Sequence, residues 1–588
     1  MSNNSTKTSD NVEKHFFRAS AADFKKIPGR PITYWLSQKA FTLFTSNKLL
    51  LDVSRPKVGL NTTDNNQFLR LWYEVNINNT GLNFGSRYLA IESNKQWFPY
   101  NKGGGFRRWY GNHEYFVNWR NDGEDLKTAI ANDPKKQAGG RVVNEDCYFK
   151  SSISWSLAGA KIFSVRVSPV GFIFDVGGSS IFPTEDEKLS LAGFLSSTVA
   201  NYLMGAMNPT FNFQAGNVAA LPIVPTKNER VRIESIARCS IDAHKIDWDS
   251  FETSWEFSIL PILLPEYKQS TLKATYNQIR TDWREMTLKI QQMEEENNRI
   301  FIDAYALQDE LDEEVYLNEI TLTCNPYYRY GANKKEEELE TLLLADTLKE
   351  FISYAVGCMF GRYSLDKPGL ILANQGETIS DYLKQIPEPV FSADDDNVIP
   401  MLDGDWFTDD VTARFGQFLK VTFGDAHYEE NLKFIEQALG KDIRKYFLKD
   451  FYTDHLKRYK KRPIYWLFSS PKGTFNALIY MHRYRPDTVS VVLNDYLREF
   501  RIKLSAHKNH LEAVSISSNA SAGEKTKALK DIENHRKMID ELDVYEREVL
   551  YPLATEQIEI DLDDGVKVNY QKFGEALKKI PGLAAKED

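Results

Sequence analysis

Cysteine is scarce in this chain of 588 residues, which contains four: Cys147, Cys239, Cys324 and Cys358. They are far apart in the sequence, and none forms a Cys-x-x-Cys pair. This spacing argues against a disulfide framework and against a structural zinc site. The chain is therefore expected to rely on hydrophobic cores for its stability.

Long apolar runs are also missing. No stretch approaches the ~20 consecutive apolar residues that a membrane-spanning helix needs. The polar segment 1–11 lacks the apolar core of a signal peptide. We therefore expect a cytoplasmic protein that does not enter a membrane.

Several catalytic motifs are missing too. The sequence has no phosphate-binding loop of the Gly-x-x-x-x-Gly-Lys-Ser/Thr type, which leaves NTP hydrolysis without support. It shows neither a nucleophile elbow nor a convincing paired-carboxylate nuclease motif. His507 and His510 could share a helix face, but a solvated face is a better interpretation than a metal site, because no further ligand is obvious. No catalytic residue and no metal ligand is assigned.

What is present is ample apolar sequence on an acidic chain. Hydrophobic residues make up 42% of the chain, and the net charge is −9. At roughly 100–200 residues per domain, several domains are expected. The pattern predicts a multidomain α+β protein, in which a mixed α/β domain precedes mostly helical domains. The predicted divisions are a disordered tail (1–15), a β-rich α/β domain (16–226), a helical spacer (227–320), a mixed helical segment (321–400), a C-terminal α/β domain (401–500), and a helical hairpin with a terminal unit (501–588).

Local patterns predict individual elements. We expect strands at Tyr88–Ile91, Ile153–Leu157, Pro463–Phe468 and Phe475–Met481, and a strand-like segment at Thr321–Gly331. Helices are expected at Leu189–Met207 and Glu336–Gly361. A long helical pair is expected over Ile502–Tyr551, broken near Ser515–Gly523.

The stretch Lys102-Gly-Gly-Gly-Phe-Arg-Arg-Trp-Tyr-Gly-Asn112 stands out. Its glycines permit a close approach of the backbone to another surface. Between residues 95 and 120, five basic residues face a single acid, Glu114. Arginine and asparagine can hydrogen-bond to base edges, and aromatic rings can stack on bases. We assign Arg107, Arg108 and Asn112 to base edges, Trp109 and Tyr110 to the same nucleic-acid surface, and Lys102 to the phosphate backbone. A glycine-rich surface turn with an aromatic anchor is the alternative.

A second candidate is the stretch Val58–Glu74, which is interpreted as a polar turn, carrying Asn61, Thr62, Asn65 and Asn66, that leads into an alternating strand or a short helix. Hydroxyl and amide side chains on such a turn suit the positioning of phosphates. We assign Lys57, Thr62 and Asn65 to this role. A turn whose polar groups satisfy its own backbone is an equal alternative.

A third candidate is the basic-aromatic stretch of residues 455–485. It contains eight lysine and arginine residues, no acid, and seven tyrosine, tryptophan and phenylalanine residues. This composition suits a phosphate-tracking groove with stacking platforms, in which Lys461 adds backbone charge. The alternative places Trp466 and Phe468 in a core with cations at its rim.

Asn325-Pro-Tyr-Tyr328 is similar to the Asn-Pro-Pro-Tyr loop of amino-methyltransferases, which holds a flipped base. The best candidate for a cofactor turn to accompany it is the Asp175–Ser179 segment. No helix and distal acid follow that turn clearly, as a nucleotide-binding fold would require. A structural turn at Asn325–Tyr328 is therefore preferred.

Long motifs resemble the PglX family, the adenine-specific DNA methyltransferases of the bacterial BREX phage-defence system. The resemblance is carried by Ile27-Pro-Gly-Arg-Pro-Ile-Thr-Tyr-Trp35, Asn65-Asn-Gln-Phe-Leu-Arg-Leu-Trp72, the Lys102–Asn112 stretch, Asn212-Phe-Gln-Ala-Gly-Asn-Val-Ala-Ala-Leu-Pro222, Asn325-Pro-Tyr-Tyr-Arg-Tyr-Gly331, the segment 353–365, Arg462-Pro-Ile-Tyr-Trp-Leu-Phe-Ser-Ser-Pro-Lys-Gly473 and Arg483-Tyr-Arg-Pro486.

The resemblance is to the C-terminal half of the family and implies a target-recognition domain in the first third of the chain. The family's catalytic half, with its S-adenosylmethionine loop, has no counterpart here. The cofactor is therefore expected in a partner methyltransferase domain or subunit and not in this chain. Duplex DNA and other BREX proteins are the further expected partners.

Two rival functions stay open at this point. One is a self-sufficient methyltransferase that uses Asp175–Ser179 and Asn325–Tyr328. The other is a protein-interaction scaffold of the defence complex, in which the basic stretches are incidental.

Overall fold

The structure is a computed structural model that describes residues 20–158, 162–208, 210 and 212–583. The predicted disordered tail, 1–15, lies outside the described residues.

The helices are, in chain order, α1 (Ala21–Phe24), α2 (Gln38–Ser46), α3 (Leu50–Val53), α4 (Asn65–Phe68), α5 (Arg87–Glu92), α6 (Arg120–Asn132), α7 (Pro134–Gly139), α8 (Glu185–Leu195), α9 (Thr198–Met207), α10 (Ala215–Ala219), α11 (Arg230–Asp249), α12 (Leu272–Tyr305), α13 (Pro326–Tyr330), α14 (Glu336–Met359), α15 (Ile379–Gln385), α16 (Val411–Phe423), α17 (Tyr428–Leu439), α18 (Ile443–Tyr446), α19 (Tyr452–Arg458), α20 (Thr488–Val491), α21 (Glu499–Ile516), α22 (Ala522–Tyr545), α23 (Tyr551–Glu556) and α24 (Val566–Gln571). Segments of π-helix occupy Phe447–Phe451, Val492–Arg498 and Glu546–Leu550.

The strands are short: β1 (Lys48–Leu49), β2 (Leu69–Leu71), β3 (Trp97–Asn101), β4 (Tyr115–Asn118), β5 (Ser152–Trp155), β6 (Val165–Ser168), β7 (Ile173–Phe174), β8 (Ser180–Ile181), β9 (Pro222–Ile223), β10 (Ile399–Pro400), β11 (Tyr465–Ser469) and β12 (Asn476–Tyr480). Helices and small, mainly antiparallel sheets occur together, which confirms the predicted α+β class.

The chain forms two compact units. The first comprises residues 20–69, 81–248 and 283–333, and the second comprises 70–80, 249–282 and 334–583. The predicted spacer, 227–320, contributes residues to both units. The predicted domain boundaries themselves stay a prediction.

In the first unit, three sets of strands hold the loops that matter here. Strand β3 pairs antiparallel with β4 and parallel with β7. Strand β5 pairs antiparallel with β6 and with β8, and β1 pairs with β9. One core lies between the β5–β6–β8 sheet and helices α2, α8, α9, α11 and α12, and a second core covers the β3–β4–β7 sheet.

The second unit contains the sheet β10–β12–β11, whose pairs are antiparallel. The residues of β11 and β12 are buried throughout. Helices α21 and α22 form the predicted hairpin, and Ser521 begins α22 with a reciprocal cap to Glu524. The hairpin and helix α14 confirm two of the predicted elements.

Two local predictions are wrong and a third is correct only in part, because side-chain caps determine the structure. Tyr88–Ile91 is helical, since the Ser86 hydroxyl accepts from the Leu89 amide and begins α5. Leu189–Met207 is two helices, because Ser197 caps α9 after α8 has ended. The strand-like segment around Thr321–Gly331 contains α13, with a proline at its first position. Among the described residues, no helix has the length and apolarity needed to cross a bilayer.

Candidate nucleic-acid interface

The Lys102–Asn112 stretch connects β3 to β4 in the first unit. Gly103 has φ +88°, and a β-carbon there would lie 2.4 Å from the carbonyl oxygen of Gly177. Only glycine permits this approach. Gly103 therefore packs the loop against the segment that contains Gly177, while Gly104 and Gly105 face solvent.

Arg108 is buried in an ion-pair cluster. Its Nη1 lies 2.5 Å from Glu294 on α12, and its Nη2 lies 2.9 Å from Glu319. Its backbone amide donates to the Thr321 hydroxyl at 3.0 Å. Burial raises the pKa of Glu294, and the positive charge of Arg108 opposes that rise. In this conformation, Arg108 fastens the loop to α12 and to the segment that follows it.

Arg107 is buried as well. Its Nη2 donates to the Thr323 hydroxyl at 2.9 Å, and its Nη1 lies 3.7 Å from Asp247. The guanidinium lies 4.8 Å from the ring centroid of Trp248 and 5.6 Å from that of Tyr328. To contact a base edge, either arginine would first have to leave these partners.

Trp109 and Tyr110 are buried, with exposed fractions of 1% and 6%. The Trp109 indole donates to Glu294 at 2.7 Å, and its amide donates to the Val165 carbonyl at 2.8 Å. Neither ring has a free face of the size that stacking on a base requires. Trp109 attaches the loop to β6.

Asn112 and Lys102 are half-buried at the edge of the loop. Asn112 has φ +61° and donates to the Gly105 carbonyl at 3.0 Å. The Lys102 ammonium lies 5.1 Å from the centroid of the Tyr115 ring. Of the predicted residues in this stretch, these two have side chains near solvent.

Arg166 on β6 is a buried cation that sequence reasoning missed. It is 1% exposed and donates to the Ser156 hydroxyl at 3.2 Å and to the Arg107 carbonyl at 3.4 Å. Burial, with the nearby charge of Arg107, lowers the pKa of Arg166 to about 10. The sequence pattern of this short strand did not indicate that the charged side chain of Arg166 would be buried.

Asn325 does not resemble a base-binding amide in its surroundings. It is fully buried, its Oδ1 accepts from the Tyr327 amide, and its Nδ2 donates to the carbonyls of Leu317 and Ile320 at 2.7 and 2.8 Å. The Tyr328 hydroxyl donates to the Phe106 carbonyl at 2.6 Å. The structure thus brings the Asn325–Tyr328 turn against the Lys102–Asn112 stretch. Asn325 caps helix α13, and Tyr328 supports the stretch through its hydrogen bond to Phe106.

The Asp175–Ser179 segment connects β7 to β8, so a strand and not a helix follows it. Asp175 accepts from the Tyr100 hydroxyl and from the Gly177 amide. Burial raises the pKa of Asp175. The segment also pairs with the start of the polar turn, since the Val176 amide donates to the Leu60 carbonyl at 3.1 Å. It therefore lies between the two predicted stretches of the first unit and packs against both.

The polar turn of residues 57–67 leads into the short helix α4. Thr62 is buried, and its hydroxyl donates to Asn65 Oδ1 at 2.8 Å. Lys57 is half-buried, and its Nζ donates to Asn144 Oδ1 at 3.3 Å. Thr63, at the tip, is exposed and has φ +60°. The structure thus brings Lys57, Thr62 and Asn65 into one turn, together with a segment around residue 144.

The basic-aromatic stretch belongs to the second unit, and the prediction of stacking platforms there is wrong. Tyr459, Tyr465, Trp466, Phe468, Phe475 and Tyr480 are fully buried. Arg483 is also buried and donates to the Asp394 carbonyl at 2.7 Å. The alternative, a core with cations at its rim, describes the aromatic residues and the exposed cations, of which Lys461 is one, whereas Arg483 is buried with the core.

Metal binding has no support in the described residues, in which no three His, Cys, Asp or Glu side chains are placed to hold an ion.

No family model matches the chain. BrxX, an adenine-specific methyltransferase of Escherichia coli O9:H4 (strain HS), is 36% identical over 581 residues, which cover 95% of this chain and 46% of that protein. PglX, an adenine-specific methyltransferase of Lacticaseibacillus casei (strain Zhang), is 36% identical over 578 residues, which cover 95% of this chain and 45% of that protein. The chain spans a little under half the length of these curated relatives. Over 95% of its length, it is therefore homologous to the adenine-specific methyltransferases PglX and BrxX.

Proposed function

We propose that this chain is the DNA target-recognition part of an S-adenosylmethionine-dependent N6-adenine methyltransferase of BREX phage defence. It would recognise a short asymmetric site in duplex DNA, so that a methyltransferase domain or subunit could flip and methylate an adenine. The observation that carries the proposal is homology over 95% of the chain to two proteins named adenine-specific methyltransferases.

In this proposal the polar turn positions DNA phosphates through Lys57, Thr62 and Asn65. Lys57 and Asn65 are partly exposed, while buried Thr62 orients Asn65 through its hydroxyl. Such contacts set the register of a protein on DNA without reading its sequence.

The Lys102–Asn112 stretch has a divided role in this proposal. Asn112, at its accessible edge, is the candidate for a base contact, because an asparagine amide can pair with adenine. Arg107, Arg108, Trp109 and Tyr110 hold the loop in shape through their buried partners. Lys102, and Lys461 in the second unit, contribute positive charge that attracts the phosphate backbone of DNA.

The self-sufficient methyltransferase is less well supported. Every polar atom of the Asn325 side chain already has a backbone partner. A carboxamide that binds a target amine must have its oxygen free for that amine. The S-adenosylmethionine site is therefore proposed to belong to the methyltransferase partner.

Selection from a pool of random duplexes tests the proposal directly. We expect the purified chain, alone or with its methyltransferase partner, to enrich one asymmetric motif. Fluorescence anisotropy should then show an affinity that falls with salt, because phosphate contacts release counterions. A chain and complex that both enrich no motif, and that bind DNA without salt dependence, would contradict target recognition and favour a scaffold.

Calorimetry with S-adenosylmethionine separates the remaining rival. The proposal expects no binding by this chain alone and binding by the complex. Micromolar binding by this chain alone would instead support a self-sufficient enzyme.

A further inference from the structure

A segment that the sequence analysis did not single out lies along the polar turn. Residues 133–144 include α7 and pair with the turn through Asn61 and Arg141, whose amides and carbonyls bond in both directions at 2.9 and 3.3 Å. Lys57 contacts the end of the same segment at Asn144. The turn and the segment therefore form one surface of the first unit.

Close packing holds the segment against the tip of the turn. A β-carbon at Gly140 would lie 2.8 Å from the Thr63 methyl group and 2.8 Å from the Lys136 carbonyl. Glycine is needed here because of this contact. The position of Arg141, the next residue, is fixed relative to Thr63 as a result.

The conformation of Thr63 is itself unusual. Its φ of +60° is in the left-handed region, which a β-branched residue adopts only under strain. Strain of this kind is concentrated at sites of function. Thr63 is exposed, so its conformation does not serve the packing of a core.

The surface carries two positive side chains that form no ion pair with any described carboxylate. Lys135 and Arg141 are exposed, and neither forms an ion pair with any described residue. The neighbouring Lys136 differs, because its Nζ lies 3.8 Å from Asp64 and donates to Gln67. On a chain of net charge −9, two unpaired cations beside a strained polar turn form a local anion-attracting surface.

We propose that Lys135 and Arg141 bind the phosphodiester backbone of duplex DNA, next to the contacts made by the polar turn. Phosphate is a ligand that suits both side chains, because lysine binds it as a point charge and arginine as a bidentate hydrogen-bond donor. The inference rests on the proposed function and deepens it. It moves the main electrostatic contact of the first unit from the Lys102–Asn112 stretch to the surface formed by residues 57–67 and 133–144.

The test compares two matched double variants. Lys135→Ala, Arg141→Ala removes the proposed contacts. Lys227→Ala, Arg238→Ala removes one lysine and one arginine of the same unit that are also exposed and form no ion pair with a described residue. Thermal unfolding of all three proteins establishes that each is folded.

Duplex binding is then measured at several salt concentrations, with the selected motif and with a scrambled duplex. Each phosphate contact contributes about 0.9 to the slope of log affinity against log salt. We expect the Lys135→Ala, Arg141→Ala variant to lose close to two such contributions and to weaken both duplexes by the same factor. The control should keep the slope of the parent.

The possible outcomes are distinct. A folded Lys135→Ala, Arg141→Ala variant with the parent's slope and affinity would overturn this inference while leaving target recognition intact. Loss of the motif preference alone, with an unchanged slope, would also overturn it, because the two residues would then read bases. A parent that binds no DNA, alone or in complex, would contradict the proposed function and this inference with it.

Discussion

Arg108 and Arg166 are both buried arginines of the first unit, but their surroundings differ. Two carboxylates contact Arg108, whereas the side chain of Arg166 donates to a hydroxyl and to a carbonyl. Removing one partner of a buried ion pair leaves an uncompensated charge. Removing Arg166, whose described partners are a hydroxyl and a carbonyl, leaves no uncompensated charge. Substitution of Arg108 is therefore expected to destabilise the fold more than substitution of Arg166.

We predict that Arg108→Met lowers the free energy of unfolding by about 3–5 kcal/mol, because Glu294 is left buried without its cation. Arg166→Met should cost clearly less. Denaturant unfolding of both variants measures the difference. Combining Arg108→Met with Glu294→Met should recover part of the loss, and a variant as stable as the parent would contradict a structural role for Arg108.

Asp394 is a buried carboxyl of the second unit whose proton binding depends on its environment. Burial, with the nearby charge of Asp396, raises its pKa from 3.8 to about 7. At pH values between these two, Asp394 is therefore protonated in the folded protein and ionised in the unfolded chain. By linkage, this contribution to stability is fully present below the lower pKa and is lost as the pH rises through the upper one.

We predict that Asp394→Asn is more stable than the parent at pH 8, where the parent must ionise this buried group. The difference should shrink as the pH falls through 7 and vanish below 4. Denaturant unfolding at pH 4, 6 and 8 provides the measurement. An Asn variant that is destabilised equally at all three values would contradict the prediction, because the amide would then fail to replace the Asp394 carboxyl group, which accepts from the Val398 amide.

At the level of elements, side-chain caps explain the differences between the predicted and observed elements. Propensity indicated a strand at Tyr88–Ile91, but a serine cap makes the segment a helix. Long periodic segments were predicted correctly, as α14 and the α21–α22 hairpin show. Their length makes periodicity a strong signal, whereas four to six residues carry too little of it.

Helix α13 gives a prediction at this scale. Asn325→Ala should destabilise the protein by about 2–4 kcal/mol, because it removes an N-cap and leaves two buried carbonyls without donors. Asn228→Ala, at an exposed position of the same unit, is the control and should change little. Chemical unfolding measures both. If Asn325→Ala proved as stable as the control but abolished methylation by the complex, Asn325 would have a catalytic role.

On the scale of the whole molecule, the first unit is assembled from segments distant in the sequence. Ile233 and Ile236 of α11, and Phe301 and Tyr305 of α12, belong to the same core as Phe194. The predicted target-recognition domain, 16–226, contains none of the first four. A core shared in this way is visible only in three dimensions.

We therefore predict that a fragment of residues 16–226 does not unfold cooperatively. Loss of one buried phenylalanine costs about 3–5 kcal/mol, and a domain's net stability is only about 5–15 kcal/mol. A fragment of residues 20–333, which contains every described segment of the first unit, should retain a cooperative transition. Circular dichroism during heating compares the two, and a sharp transition in the shorter fragment would contradict the prediction.

The sequence alone determined the α+β class, the long helices and the homology to adenine-specific methyltransferases, because periodicity and extended motifs are local properties of the chain. It also identified the Lys102–Asn112 stretch and the polar turn as unusual. The tertiary structure alone decided which charges are free. Arg107 and Arg108 have buried partners more than 130 residues away in the chain, whereas Lys135 and Arg141 form no ion pair with a described residue and lie beside the polar turn. Ion pairing depends on distance in space, and side-chain chemistry read along a sequence contains no information about it.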